Sequence, residues 1–207
     1  MKKLFRLLFV ALLSLSAGQL QAADAGQNLH RLLGKIDSLS ARFEQLVLDG
    51  GGTRLQQSQG EMVLARPGKF RWRTDEPFPQ LLVSDGETLW MYDEDLEQVT
   101  RQAVDQQLSN TPALLLSGDL ATLQDSFQIQ GPVDSDTGTF RLVPNSQDAL
   151  FAVLRMQFDQ GVPIEMQLED NLGQQTSVHF YDLAINPSLE ARQFEFEVPE
   201  GVDLIEQ

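Results

Sequence analysis

Cysteine is absent from all 207 residues of the chain. That absence excludes disulfides, a thiol nucleophile, thiolate metal ligands and a lipid-modified N-terminal cysteine. Histidine is scarce as well: His30 and His179 lie far apart in sequence and by spacing form neither a metal set nor a catalytic pair. No G-x-S-x-G elbow, H-E-x-x-H pair, phosphate-binding glycine loop or dinucleotide fingerprint occurs, so no catalytic constellation can be named. Cations are in short supply, with 15 Lys and Arg against 30 Asp and Glu, a net charge of −15. So acidic a surface repels nucleic acid and anionic lipid headgroups. Long apolar runs are missing too, apart from one near the start, Leu4 to Leu15.

That run has the marks of an export signal. Lys2, Lys3 and Arg6 surround its beginning, and Ala22 and Ala23 supply small residues for cleavage. It is too short to anchor in a bilayer. Residues 1–23 are therefore expected to be a cleaved secretory signal, and 24–207 one domain delivered to the periplasm. Without the signal, 12 basic residues face 30 acidic ones, a net charge of −18. A mature chain of about 185 residues can bury a sufficient core without disulfides.

What is present is alternation. Leu29, Leu32, Leu33 and Ile36 follow the helical period and predict an opening helix. Leu39, Ala41, Phe43 and Val47 then follow the period of two, and Asp49 to Gly52 ends that strand. Turn signals recur at Pro67-Gly68, Asp85-Gly86, Asp134 to Gly138, Asp159 to Gly161 and Asn171 to Gly173. Between Gly60 and Tyr92 the pattern predicts three strands, with Phe70 and Trp72 on one face and Met62, Leu64 and Arg66 in line. Leu150, Ala152, Leu154, Met156 and Phe158 predict one single-face row, answered by Ile164, Met166 and Leu168. Phe194, Phe196 and Val198 predict the closing strand. About ten strands of this kind suit an antiparallel sheet curling on itself.

One segment breaks the alternation. Asn110-Thr111-Pro112 offers a cap and a first-turn proline, followed by Ala113, Leu114, Leu115 and Leu116 and the stop Gly118. So apolar a helix must be covered on several sides, as a plug or as a lid. The interior it covers is either filled by side chains or left partly open for an apolar ligand; periodicity does not separate the two. Arg66 likewise has two readings. Its guanidinium reaches water at the strand end before Pro67, or it donates to carbonyls at a helix C-terminus, where the dipole favours a cation. The acidic run Asp93, Glu94, Asp95 and Glu97 lacks calcium-loop spacing and reads as a solvated turn.

The stretches RPGKFRW (66–72), LLVSDGETLWMYDEDLEQV (81–99) and NTPALLL (110–116) resemble the LolA family of periplasmic lipoprotein carriers, and the resemblance runs over nearly the whole mature chain. It implies an incomplete antiparallel β-barrel of about ten or eleven strands, with an α-helical lid over an apolar cavity. It implies no enzymatic activity, cofactor or metal. It places Leu33, Phe43, Met62, Leu64, Phe70, Trp72, Leu114, Leu115, Leu116, Leu154 and Met166 around the acyl chains, and makes Arg66 the tether of the lid. The implied partners are triacylated lipoproteins as cargo, an ATP-driven releasing complex of the inner membrane and a receptor lipoprotein of the outer membrane. The carrier would be a monomer with no stable membrane insertion. On the same half-barrel, a carrier or sensor of another acylated lipid is the alternative.

Overall fold

The computed structural model describes residues 17–104, 116–117 and 123–206, with side chains from Ala25 onward. Helix α1 (Ala17–Leu33) buries the expected stripe, Leu29, Leu32 and Leu33. Gly34 closes its last turn on the His30 carbonyl, so Ile36 lies beyond the helix and is buried all the same.

The strands follow in two series. The first is β1 (Ser38–Leu48), β2 (Arg54–Ala65), β3 (Lys69–Glu76), β4 (Gln80–Asp85), β5 (Thr88–Asp93) and β6 (Gln98–Ala103). After the short helix α2 (Leu123–Ser126) come β7 (Phe127–Gln130), β8 (Gly138–Pro144), β9 (Phe151–Asp159), β10 (Val162–Asp170) and β11 (Gln175–Ile185). A 3-10 turn, Ala191–Phe194, precedes β12 (Asp203–Glu206). The strands form one twelve-stranded sheet in the order β12-β6-β5-β4-β3-β2-β1-β11-β10-β9-β8-β7. Each series is a meander of antiparallel hairpins, and β11 joins them by returning to pair with β1. The sheet is open, with β7 and β12 as its edges.

Three strand expectations need correction. The window from Gly60 to Tyr92 holds parts of four strands rather than three, because Pro77-Phe78-Pro79 interrupts the ladder between β3 and β4. Phe194 to Val198 form no strand: Phe194 ends the 3-10 turn, and the extended residues after it have no ladder partner. The chain's last strand is instead β12, which pairs parallel to β6. Finally, the row on β9 is broken at Ala152, where the register with β10 slips from Val153 to Phe151. The slip turns Phe151 inward and leaves Leu150 exposed.

The curved sheet has two covered faces. Inside, α1, α2 and Leu116 close over the rows from β1–β5 and β7–β11 in one contiguous apolar cluster. Outside, Leu81 and Val83 are buried on β4, where the 3-10 turn lies against β3 and β4, and Val99 is buried on β6 between Tyr92 and Leu204. Phe196 packs there too, 6.3 Å from the Trp90 ring and 6.0 Å from Tyr92. Among the described residues, no helix is long and apolar enough to cross a membrane.

Candidate functional site

Nine of the eleven apolar residues singled out from the sequence meet inside the sheet. Leu33 comes from the end of α1, Phe43 from β1, Met62 and Leu64 from β2, Phe70 and Trp72 from β3, Leu154 from β9 and Met166 from β10. Leu116 joins them from the mid-chain segment, and all nine belong to the same buried cluster. Leu114 and Leu115 lie outside the described residues, as does the expected lid helix apart from Leu116 and Ser117. At the centre, Phe43 stacks on Trp72 at 4.1 Å, and Trp72 meets Phe180 edge-on at 6.4 Å.

Gly60 makes that stack possible. It sits directly across from Phe43 in the ladder, and a β-carbon there would lie 1.8 Å from the Arg73 carbonyl oxygen and 2.9 Å from the Phe43 ring. Only a residue without a side chain fits.

One end of the cluster is tied by polar bonds. The Arg66 backbone N–H donates to the Asp37 carbonyl at 2.9 Å, and its Nε donates to the Ile36 carbonyl at 3.0 Å. Arg66 is half-buried, and its guanidinium donates to the chain as it leaves α1. Two residues on, the Gly68 N–H donates to the Ser117 carbonyl at 2.9 Å, so the same turn also holds the segment that carries Leu116. Ser84, wholly buried, braces the turn by donating from Oγ to the Gly68 carbonyl at 2.8 Å and accepting the Gly86 N–H at 3.1 Å. Gly68 and Gly86 both have positive φ, 70° and 101°, and a β-carbon on Gly68 would lie 3.2 Å from the Gly86 Cα.

Asn186 fastens the other side of the helix exit. Its Oδ1 accepts the Asp37 N–H at 2.8 Å and its Nδ2 donates to the Lys35 carbonyl at 2.9 Å. Sequence reasoning missed Ser84, Ser117 and Asn186. Asn186-Pro187 is a turn signal that could have marked the last of these.

The outer face carries a different kind of space. A groove of about 550 Å³ crosses β11, β1, β2 and β3 and is walled by Arg192 and Gln193 of the 3-10 turn. Along its floor, Arg42 lies opposite Glu61, and Glu61 opposite Arg73. Burial lowers the pKa of the half-buried Arg71, neighbouring Arg73 adds to the effect, and Glu61 opposes it. Four guanidiniums do not suit an acyl chain, so this groove is separate from the apolar interior. His30 and His179 are exposed and lie apart.

Comparison with known proteins gives one consistent answer. The family model described as "Outer membrane lipoprotein carrier protein LolA" matches residues 34–197. An outer-membrane lipoprotein carrier protein of Pseudomonas aeruginosa is 49% identical, over 99% of this chain and 100% of the relative. Its counterpart in Azotobacter vinelandii is 48% identical over the same shares. Among solved structures, a DUF1329 family protein from Desulfovibrio piger has the same fold, with a TM-score of 0.51 at 11% identity, covering 84% of this chain and 98% of the other.

Proposed function

The chain belongs to the LolA family of outer-membrane lipoprotein carriers, and from that premise we propose that it shields the acyl chains of a lipoprotein in its apolar interior while the cargo crosses the periplasm. Residues 1–23 act as the cleaved export signal, and 24–207 are the working domain. Cargo arrives from an ATP-driven releasing complex of the inner membrane and leaves to a receptor lipoprotein of the outer membrane. The observation that carries this reading is the single apolar cluster under a polar latch: nine cavity residues together, with Arg66 and Gly68 tying both α1's exit and the Leu116 segment to one turn.

The energetics fix the division of labour. A triacylated cargo has about forty methylenes or more, and at about 0.8 kcal/mol each its removal from a membrane costs on the order of 30 kcal/mol. Spontaneous desorption cannot meet that cost, so a partner performs the extraction and the carrier receives passively. The closed carrier already fills its interior with its own side chains. Acyl chains therefore enter by displacing that packing, and the latch competes with cargo for the closed state.

Arg66→Leu tests the latch. The variant loses a charge-assisted hydrogen bond, worth about 1.5–3 kcal/mol when buried, and less here because Arg66 is half-exposed. The open, loaded state gains by that difference, so the variant should accept cargo normally and hand it on several-fold to about tenfold less well in a reconstituted transfer assay. A folded variant that transfers at the unaltered rate removes the latch from the mechanism.

A further inference from the structure

The hairpins put five turns at the end of the sheet opposite the Arg66 latch: β1–β2, β3–β4, β5–β6, β8–β9 and β10–β11. In sheet order they are five consecutive hairpins, spanning ten strands and about 43 Å of curved edge at about 4.8 Å per strand. Each offers one exposed large apolar side chain: Leu55 (57% exposed), Phe78 (64%), Leu96 (69%), Leu150 (54%) and Leu172 (91%). Among the described residues, the turns at the latch end (66–68, 86–87, 131–137 and 160–161) carry none. Single exposed apolar residues are ordinary; one on every hairpin of one end, against the less exposed Ile185 (37%) at the end of β11 beside the latch, is not.

The tips are held in place. Asp93 Oδ1 accepts the Leu96 N–H at 3.0 Å, and Asp170 Oδ1 accepts the Leu172 N–H at 2.8 Å. Asn171 Nδ2 donates to the Ala149 carbonyl at 2.8 Å, which ties the Leu172 turn to the loop bearing Leu150. Phe78 stands between Pro77 and Pro79. Anchors already ordered lose little entropy on docking. The charge around them is one-sided: residues 49–55, 75–79, 93–97, 145–150 and 170–174 hold nine carboxylates and one cation, Arg54.

We propose that this rim is a docking surface for a protein partner whose own face is basic and carries apolar sockets. Charge complementarity selects the occupant. An anionic membrane surface is repelled by the rim, and a second copy would set carboxylates against carboxylates. The apolar tips supply contact area, while the surrounding acids steer a basic face into register. The inference rests on the carrier reading in expecting a handover partner, and the rim lies on the other end from the latch, so the two can fail separately.

The test places a photo-crosslinking amino acid at Phe78, Leu96 or Leu172 in cells, with Lys69 and Glu87 at the latch end as controls, and identifies the crosslinked peptides by mass spectrometry. The expected result is a shared protein partner from all three rim positions, through a segment rich in Lys or Arg beside apolar residues, and none from the controls. The triple variant Phe78→Ser, Leu96→Ser, Leu172→Ser, and separately Glu94→Lys with Asp95→Lys, should weaken binding to that partner at least tenfold at 0.1 M salt. Both should bind a fluorescent fatty acid like the unaltered protein, which keeps failure of the rim distinct from failure of the interior. Adducts to lipid, equal adducts from the controls, a crosslinked segment without basic residues, or full binding by both variants would overturn the proposal. So would capture of the protein by neutral phosphatidylcholine vesicles through the rim.

Discussion

At position 60 a hydrogen atom in place of a methyl group decides whether β3 can lie against β2. The added carbon of Gly60→Ala would meet a backbone carbonyl, which cannot rotate away as a flexible side chain could, and then the Phe43 ring. Overpacking of this kind costs about 1–3 kcal/mol, and the carbonyl clash puts this case at the upper end or above. Urea denaturation should show the midpoint falling by that amount with an unchanged slope; a shift under 0.5 kcal/mol would mean the ladder relaxes without cost. Single residues were unevenly legible in the sequence. An isolated glycine in an alternating run signals a close approach, but nothing local names Phe43 as the group approached. Arg66 could be read because a cation in line with Met62 and Leu64 asks for partners. Ser84 could not, because a serine before Asp85-Gly86 looks like part of the turn, and its burial comes from two turns brought together by β2–β5.

Elements were legible wherever alternation coincided with pairing, and misleading where it did not. Phe194 and Phe196 alternate because an extended segment faces the outer side of the sheet with every second residue, while Val198, next in the row, is already exposed. That pattern reports a covered face and is silent about hydrogen bonds. On β9 the pattern failed for another reason: one unpaired residue at Ala152 exchanges the two faces, and a one-residue slip leaves no mark on composition. The mid-chain helix was read from its cap and proline, and apart from Leu116 and Ser117 it lies outside the described residues. The outer layer yields its own prediction. Phe194 is buried at the 3-10 turn, away from the apolar interior. Phe194→Ala should lower stability by about 3 kcal/mol in urea denaturation, with fatty-acid affinity unaltered. A parallel loss of affinity would show that the outer layer and the interior respond as one body.

Across the described residues, three features follow one another from end to end of the sheet: a rim of acidic, apolar-tipped hairpins, an apolar interior, and the polar-bonded Pro67-Gly68 turn at the far end. The described interior is filled by its own side chains, so an acyl chain cannot be added without moving something. The strands are poor candidates for that movement. β1 is bonded on both sides, to β2 and β11, and shifting it would break two ladders. The described bonds at the Pro67-Gly68 turn join loops: Arg66 to Ile36 and Asp37, and Gly68 to Ser117. Opening should therefore take place between loops, with the Leu116 segment leaving the turn while the sheet stays intact. Hydrogen exchange reads this directly, because the Gly68 amide is protected by the Ser117 carbonyl. On saturation with a fatty acid, the Gly68 amide should exchange at least tenfold faster, while the amides of Phe43 and Phe180, paired across the β1–β11 seam, should keep their rates. Faster exchange along that seam with Gly68 still protected would mean that the sheet itself parts to admit the ligand, and that the Pro67-Gly68 turn is a fixed corner instead of a catch.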